Sequence, residues 1–308
     1  MEKPDEIIDF SLEGKKTAND FVQGLAGVGF QAGHLAEAVE LIEKMKKEKA
    51  TIFFGFTANL VASGLRGIIA EMCKKKFVNV VVTTAGAIDH DIIKTFKPYL
   101  KGSFNLDDIG LHKKGINRLG NILVPNKRFE LLEEKTQAWF KEIFAKQKAI
   151  SPSALAKFFG EKLDETSFLY WCNKNNIPVF CPGITDGAIG LQMYFFKQDH
   201  KDFVVDVTGD MKQLADIVLN AEKTGAIVLG GGISKHHIIG SNIVREGLDF
   251  AVYVCTAQEF DGSLSGAQTR EAKSWGKIKE EANSINVNCD ATIAFSLMAA
   301  ALKDKKLL

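Results

Sequence analysis

Short apolar runs rich in β-branched and aromatic residues alternate with longer amphipathic stretches along most of the chain. The apolar runs predict strands at 51–56, 78–82, 177–180, 203–206, 226–229 and 250–254. Apolar residues at helical spacing predict helices at 34–48, 65–72, 127–145, 155–159, 168–173, 211–223 and 292–302. Continuously apolar strands separated by helices are typical of parallel sheets that are buried on both faces. The pattern therefore predicts an α/β fold with a doubly wound, mostly parallel, Rossmann-like sheet and helices on both faces.

The chain shows no internal repeat, no linker rich in proline or serine and no low-complexity tract. At 308 residues it is long enough to bury a substantial core. We therefore expect one domain over residues 1–308, with a short lead over about residues 1–28.

The charge balance excludes several classes of protein. A formal net charge of +1 argues against a nucleic-acid binder or a polybasic membrane protein, because both need a concentrated positive field. The 5 cysteines are scattered without a C-x-x-C pair, so neither a disulfide framework nor a zinc site is predicted, and no other metal is expected. No apolar run reaches the roughly 18 residues of a membrane span. We expect a soluble protein of the reducing cytoplasm, with a small molecule or a protein as its partner.

Residues 226–277 contain the most informative pattern. The strand at 226–229 is followed by Gly230–Gly232 and the run Lys235-His236-His237, and the strand at 250–254 by a loop with several carboxylates. A tryptophan and a lysine, Trp275 and Lys277, close the stretch. Parallel strands that end in small and polar residues are typical of a ligand-binding face. Packing alone is a poor explanation for this mixture of side chains.

Six motifs in this chain resemble those of the deoxyhypusine synthase family. GGG-x-x-KHH, TAQEFDGS-x-SGA and EA-x-SWGKI lie within 226–278, and TANL, TTAG and P-x-x-TDG occur earlier in the chain. Their order and spacing match from about Gly29 to Phe295. The SWGK motif is the most specific of them.

The resemblance implies a transferase of hypusine biosynthesis that uses NAD. In that family NAD takes a hydride from the polyamine spermidine, a lysine captures the aminobutyl unit as an imine (Schiff base), and 1,3-diaminopropane leaves. The unit then passes to a lysine of the eIF5A precursor. The resemblance also implies a homotetramer with sites at dimer interfaces.

Motif positions carry the family's functional residues over to this sequence. The implied catalytic residues are Lys277, His236, Glu271 and Trp275. The implied NAD contacts are Asn59, Thr84, Ala85, Gly86, Asp186, Gly231, Thr256, Ala257, Asp290 and Ala291. The implied substrate-site positions are Asp89, His90, Leu191, Gly262, Ser263 and Leu264.

The chemistry of these side chains supports the implied roles, but each of them could also have a purely structural role. Lys277 must lose its proton to act as a nucleophile, and shelter beside Trp275 would favour the neutral amine. Most lysines, by contrast, are solvated surface groups. His236 suits proton transfer because histidine titrates near neutral pH, although one of the two adjacent histidines is expected to be structural. Glu271 could orient an amine or be an ordinary glutamate at a helix start.

Three departures from the family pattern fall at the implied polyamine site. Leu191 and Leu264 stand where the family has acids, and His90 replaces a glutamate. Losing one partner of a buried charge pair typically costs about 2–5 kcal/mol, so these changes should weaken spermidine binding strongly. Other acids, namely Asp89, Asp91 or Glu259, could replace them, or the donor could be a less cationic, partly apolar amine. Ala58 and Ala62, where the family commonly has serines, remove possible hydrogen bonds to the cofactor.

Three functions remain open at this point. The first is the family reaction with spermidine and the eIF5A precursor. The second keeps the same half-reaction but uses a different amine or a small-amine acceptor, as in homospermidine formation. The third is a catalytically silent NAD-binding scaffold, which has no need of an unprotonated lysine.

Overall fold

The computed structural model describes residues 6–308. The strands are β1 (Thr51–Phe56), β2 (Val80–Val82), β3 (Leu100–Lys101), β4 (Ile116–Leu119), β5 (Ile122–Pro125), β6 (Ala149–Ile150), β7 (Val179–Phe180), β8 (Val204–Val205), β9 (Thr224–Leu229), β10 (Leu248–Val254) and β11 (Ile278–Val287). The α-helices are α1 (Ala18–Gly24), α2 (Gln31–Lys47), α3 (Ala58–Leu60), α4 (Arg66–Lys74), α5 (Ala85–Phe96), α6 (Asp108–Lys113), α7 (Lys127–Lys146), α8 (Pro152–Glu161), α9 (Phe168–Asn175), α10 (Ala188–Asp199), α11 (Gly209–Asn220), α12 (Gly232–Ser241), α13 (Thr269–Ser274) and α14 (Ala291–Asp304).

Six strands form a parallel sheet in the order β11-β10-β9-β1-β2-β7, and helices flank it. The predicted fold class, a doubly wound parallel α/β sheet, is therefore confirmed. The strand predicted at 203–206 does not join this sheet. It forms β8, which pairs with β6 in a separate two-stranded sheet. Strands β3, β5 and β4 form a third, antiparallel sheet. Among residues 6–308, no helix combines the length and apolar character needed to cross a membrane.

Contacts divide the chain into two compact units. Unit 1 comprises the chain up to Phe56, Phe77–Val80 and Ala215–Leu308, and unit 2 comprises Thr57–Lys76 and Val81–Leu214. In unit 1, Phe54 of β1 packs against Phe295 of α14 with ring centroids 5.7 Å apart. In unit 2, the ring of Phe140 lies 5.6 Å from those of Phe196 and Phe203. Each unit thus has its own aromatic core.

The strands of unit 1 end level with one another. Phe56 of β1 pairs with Leu229 of β9, which pairs with Val254 of β10, and Val254 pairs with Val287 of β11. Because the strands are parallel, the loops that follow β9, β10 and β11 leave from the same edge of the sheet. The loops after β9 and β10, which contain motifs of residues 226–277, therefore begin side by side.

A buried ion pair organises the helices of unit 2. The carboxylate of Asp91 on α5 accepts a hydrogen bond from Nε of Arg66 on α4 at 2.5 Å and one from the Ser167 hydroxyl at 2.7 Å. The backbone N–H of Leu169 on α9 donates to the same carboxylate at 3.1 Å. Asp91 is fully buried, so these donors replace its lost hydration and tie three helices together.

Replacing Asp91 by alanine should lower the free energy of unfolding by about 3–5 kcal/mol, because Arg66 would stay buried without its partner. Urea unfolding followed by circular dichroism would measure the change. Asp108→Ala is the matched control, since it removes an exposed carboxylate that pairs with Arg118, and it should leave the transition unmoved. Equal effects of the two substitutions would contradict this role for the buried pair.

Candidate active site

The end of α13 places Lys277. Gly276 adopts a left-handed conformation with φ of 64°, its N–H donates to the carbonyl of Lys273, and the N–H of Lys277 donates to that of Ala272, each at 3.0 Å. This pair of bonds is a Schellman motif, in which glycine is favoured at the left-handed position. The glycine of SWGK therefore ends the helix and turns the chain so that Lys277 directly precedes β11.

The Lys277 amine lies beside the predicted acid/base residue. Its Nζ is 3.5 Å from Nε2 of His236 on α12 and 5.1 Å from the centre of the Trp275 ring. Glu271, in the first turn of α13, lines the same cavity of about 250 Å³. All four predicted catalytic residues are thus brought together within unit 1.

The expected burial of the lysine by Trp275 is wrong for the single chain. Trp275 is 66% exposed, and Lys277 is only half-buried. The reason is local: Trp275 occupies the C-cap of α13, where its side chain projects from the surface of unit 1. The indole lies against the amine without enclosing it.

Lys235 belongs to this site although it was not among the predicted catalytic residues. It is 2% exposed, and its Nζ donates to the carbonyls of Leu264 at 2.8 Å and Ala267 at 2.6 Å. The same ammonium lies 4.4 Å from the centre of the Tyr253 ring. Burial lowers the pKa of Lys235 to about 8. Its position in GGG-x-x-KHH was the available signal, but only the fold shows that this lysine points inward.

Glycines let the loops of the site pack backbone against backbone. A Cβ atom added at Gly231 would come within 2.5 Å of the Ser265 Cα, and one added at Gly266 within 1.8 Å of the Gln258 carbonyl oxygen. Gly262 has φ of 72°, and the next residue, Ser263, donates its N–H to Asp261 at 2.7 Å. The predicted positions Gly231, Gly262 and Ser263 therefore shape the loops that surround the cavity.

The remaining cofactor positions predicted in unit 1 follow β10 and β11. Thr256 is exposed and Ala257 half-buried in the loop after β10. Asp290 caps α14 by accepting the N–H of Thr292 at 2.8 Å, and Ala291 is the first residue of that helix and buried. These residues lie at the carboxyl edge of the strands, as a strand-end ligand site requires.

A second group of predicted residues lies in unit 2 at the start of α5. The helix begins at Ala85, one turn before Asp89. Thr84 occupies the N-cap with extended backbone, and its hydroxyl is buried without a hydrogen-bond partner among residues 6–308. A Cβ atom added at Gly86 would lie 3.0 Å from that of Ala58. Asn59 is exposed and accepts the Thr57 hydroxyl at 2.5 Å.

The predicted substrate positions of unit 2 occupy three different environments. Asp89 is buried and its two oxygens accept the N–H groups of Ala188 and Ile189 at 2.8 and 2.9 Å, which caps α10. Burial raises the pKa of Asp89 to about 7, although these two bonds act in the opposite direction. Leu191 is 51% exposed on α10, and Asp186, a predicted cofactor contact, is exposed in the preceding loop.

His90 is neutral at physiological pH and so does not reproduce the acid of the family pattern. Its Nδ1 lies 2.8 Å from the Tyr99 hydroxyl. Burial, together with the charge of Lys94, lowers the pKa of His90 to about 4. A neutral imidazole can accept a hydrogen bond, but it supplies no charge to offset an ammonium group.

The three acids considered as replacements are each bound to other groups of the protein. Asp89 caps α10, Asp91 pairs with Arg66, and Glu259 pairs with Arg270. In the cavity beside Lys277 the lining carboxylate is Glu271, while Leu264 contributes an apolar wall. The charge balance of this cavity therefore favours a ligand with few ammonium groups.

Two glycine substitutions separate backbone conformation from backbone contact in these loops. Gly276→Ala should cost about 1–2 kcal/mol, because its Cβ meets open space but its φ is left-handed. Gly266→Ala should cost more, because its Cβ would overlap the Gln258 carbonyl and the loop would have to move. Urea unfolding of both variants measures the order, and a larger loss for Gly276→Ala would contradict it.

Comparison with known proteins shows the family to which the chain is similar. The family model for deoxyhypusine synthase matches residues 20–302. Proteins named as probable deoxyhypusine synthases are 45% identical in Thermoplasma acidophilum, over 96% of both chains, and 47% identical in Methanocaldococcus jannaschii, over 88% of both. A crystal structure of a candidate deoxyhypusine synthase from Entamoeba histolytica is 26% identical, covers 96% of both chains and superposes with a TM-score of 0.71.

The fold and the strand-end loops define a parallel α/β protein of the Rossmann-like type. Within that class, the chain belongs to the deoxyhypusine synthase family.

Proposed function

We propose that the protein is an NAD-dependent aminoalkyl transferase that moves the aminobutyl group of spermidine, through a lysine imine, to a lysine of the eIF5A precursor. Family membership supports the reaction class. The observation that carries the proposal is the position of the Lys277 amine, 3.5 Å from His236 in a cavity that Glu271 also lines. A nucleophile next to a base is the arrangement that covalent catalysis requires.

The residues of unit 2 fit a dinucleotide. The buried Thr84 hydroxyl has no partner within the described residues, and the twelve-residue helix α5 begins directly after it. Free N–H groups at a helix start favour phosphate oxygens. Because Gly86 has no side chain, a neighbouring group can approach this helix start closely. When bound, NAD would accept a hydride from the donor carbon that bears the amine.

The chain's own groups then divide the proton and nucleophile roles. His236 is placed to accept the proton that the Lys277 ammonium must lose before it can attack. Glu271 is placed to hold an ammonium group of the donor in the same cavity. Lys235 is a poorer nucleophile, because its ammonium is almost fully buried and donates to two carbonyls. Lys277 is therefore the covalent carrier.

A second candidate is the same half-reaction with a less cationic donor. Leu264 lines the Lys277 cavity, and Asp89, Asp91 and Glu259 are bound to other protein groups. A diamine such as putrescine would present fewer ammonium groups than spermidine and would release ammonia on capture by Lys277. Transfer to a small amine, as in homospermidine formation, would use the same carrier.

The third candidate, a silent scaffold, is disfavoured because Lys277, His236 and Glu271 converge on one cavity. We also propose a cytoplasmic homotetramer, which the exposed Trp275 beside the site supports, since a neighbouring subunit could cover that ring.

Borohydride reduction in the presence of NAD and spermidine should leave an aminobutyl mass on Lys277, located by peptide mass spectrometry. Lys277→Arg should abolish the adduct, and His236→Gln should slow its formation by about 10²–10⁴-fold, because proton transfer is lost. Lys279→Arg, in a lysine that pairs with Asp249, is the matched control and should label normally. An absence of adduct with every amine in a panel would instead support the scaffold.

Leu264→Asp should raise the yield of spermidine adduct relative to putrescine adduct by about tenfold or more, because a carboxylate in the cavity would stabilise the extra ammonium. The two amines compete at equal concentration, with ¹³C in the butyl carbons of spermidine so that the two otherwise identical aminobutyl adducts differ in mass, and the trapped masses are counted. Leu219→Asp, at a 60% exposed position on α11, adds the same charge elsewhere and should not change the ratio. A strong spermidine preference in the unmodified protein, unchanged by Leu264→Asp, would rule out the second candidate.

A further inference from the structure

The segment that joins α3 to α4 is an unusual helical turn. Residues Val61–Leu65 form a π-helix, and Gly64 within it has φ of 115°. A π-helical turn shifts the backbone hydrogen bonds by one residue, and such turns often lie at functional sites. Here the turn directly follows α3, which contains Ala58 and Asn59 and is one of the predicted cofactor segments of unit 2.

Lys94, in the last turn of α5, binds the carbonyls of this π-helical turn. Its Nζ donates to the Val61 carbonyl at 2.7 Å and to the Ala62 carbonyl at 3.0 Å. The side chain is half-buried, and its ammonium lies 5.8 Å from the centre of the Tyr99 ring. Burial lowers the pKa of Lys94 to about 8, with the charge of Arg66 acting in the same direction and that of Asp91 opposing it.

Helix α5 therefore holds the 58–65 segment at two places. Near its start, Gly86 lies so close to Ala58 that an added Cβ would be 3.0 Å from that of the alanine. Near its end, the ammonium of Lys94 binds Val61 and Ala62. The start of α5 is also where the unpartnered Thr84 hydroxyl lies. The spacing between the 58–65 segment and Thr84–Gly86 thus depends on both contacts.

We propose that Lys94 is a positioning residue for dinucleotide binding: its ammonium fixes the π-helical turn and so keeps Ala58 and Asn59 in place beside Thr84–Gly86. This inference rests on the proposed use of NAD. Lys94 acts through the backbone of the turn and is not itself assigned a contact with the cofactor.

A purely structural role would give a different result on substitution. Removing the donor of a buried carbonyl typically costs about 1–3 kcal/mol of stability, and it does so for any lysine that donates to a carbonyl. A methionine at 94 would fill the same space but leave the two carbonyls of the turn without their donor. The expected loss is therefore in NAD affinity and in protection of the turn, in addition to a modest loss of stability.

The test compares the full-length protein with Lys94→Met, Lys94→Arg and Lys46→Met. Lys46 is the matched control, because it is also a buried-stem lysine that donates to a carbonyl, that of Phe77 at 3.0 Å, but it lies in unit 1. Calorimetric titration measures NAD affinity, and hydrogen exchange of the free protein measures protection of residues 58–65.

Lys94→Met should weaken NAD binding by about tenfold or more, the effect of losing roughly one hydrogen bond to a charged group, and should speed exchange at 58–65. Lys94→Arg, which keeps the charge and the donors, should restore both. Lys46→Met should change neither.

Equal NAD affinity and equal exchange in the unmodified protein and Lys94→Met would overturn the role of Lys94 while leaving the proposed function intact. An equal loss of affinity in Lys46→Met would also overturn it, because the effect would then not be specific to the turn. Failure of the unmodified protein to bind NAD would overturn the proposed cofactor and this inference together.

Discussion

The parallel hydrogen bonding of β1, β9, β10 and β11 is the constraint on which the rest of unit 1 depends. Its register brings Phe56, Leu229, Val254 and Val287 level, so every following loop starts from one edge. Parallel strands cannot be joined by tight turns, and the connections between them must cross over through helices. The glycine-rich turn after β9 and the loop after β10 are thus brought together by the sheet, although Leu229 and Val254 are 25 positions apart in the chain.

The buried ammonium of Lys235 binds the loop that lines the cavity. Lys235 would be costly to bury alone, but the carbonyls of Leu264 and Ala267 and the ring of Tyr253 replace part of its hydration. Each of those carbonyls belongs to the loop that lines the Lys277 cavity. The charge of one lysine therefore orders the loop, and the neighbouring lysine remains available for chemistry. Both groups are lysine amines, but Lys235 is buried and Lys277 is half-buried, which is why their roles differ.

Periodicity was sufficient to predict most of the parallel sheet, because strands buried on both faces are continuously apolar, and it predicted half of the described α-helices. It could not reveal β11, whose residues 278–287 are largely polar and which lies at the edge of the sheet. Motif resemblance brought out Lys277, His236, Glu271 and Trp275 together, and the geometry gathers them in one cavity. It assigned no role to Lys235, since burial depends on tertiary packing. The capping role of Asp89 and the π-helical turn at 61–65 likewise arise from contacts between distant residues.

The central claim is that Lys277, and not Lys235, carries the substrate. A crystal structure of the protein after borohydride trapping with NAD and an amine tests it most directly. The account predicts electron density continuous from Nζ of Lys277, with His236 still beside it and Lys235 still bound to its two carbonyls. Covalent density on Lys235, or an unmodified Lys277 in crystals of protein shown by mass to be labelled, would contradict the account.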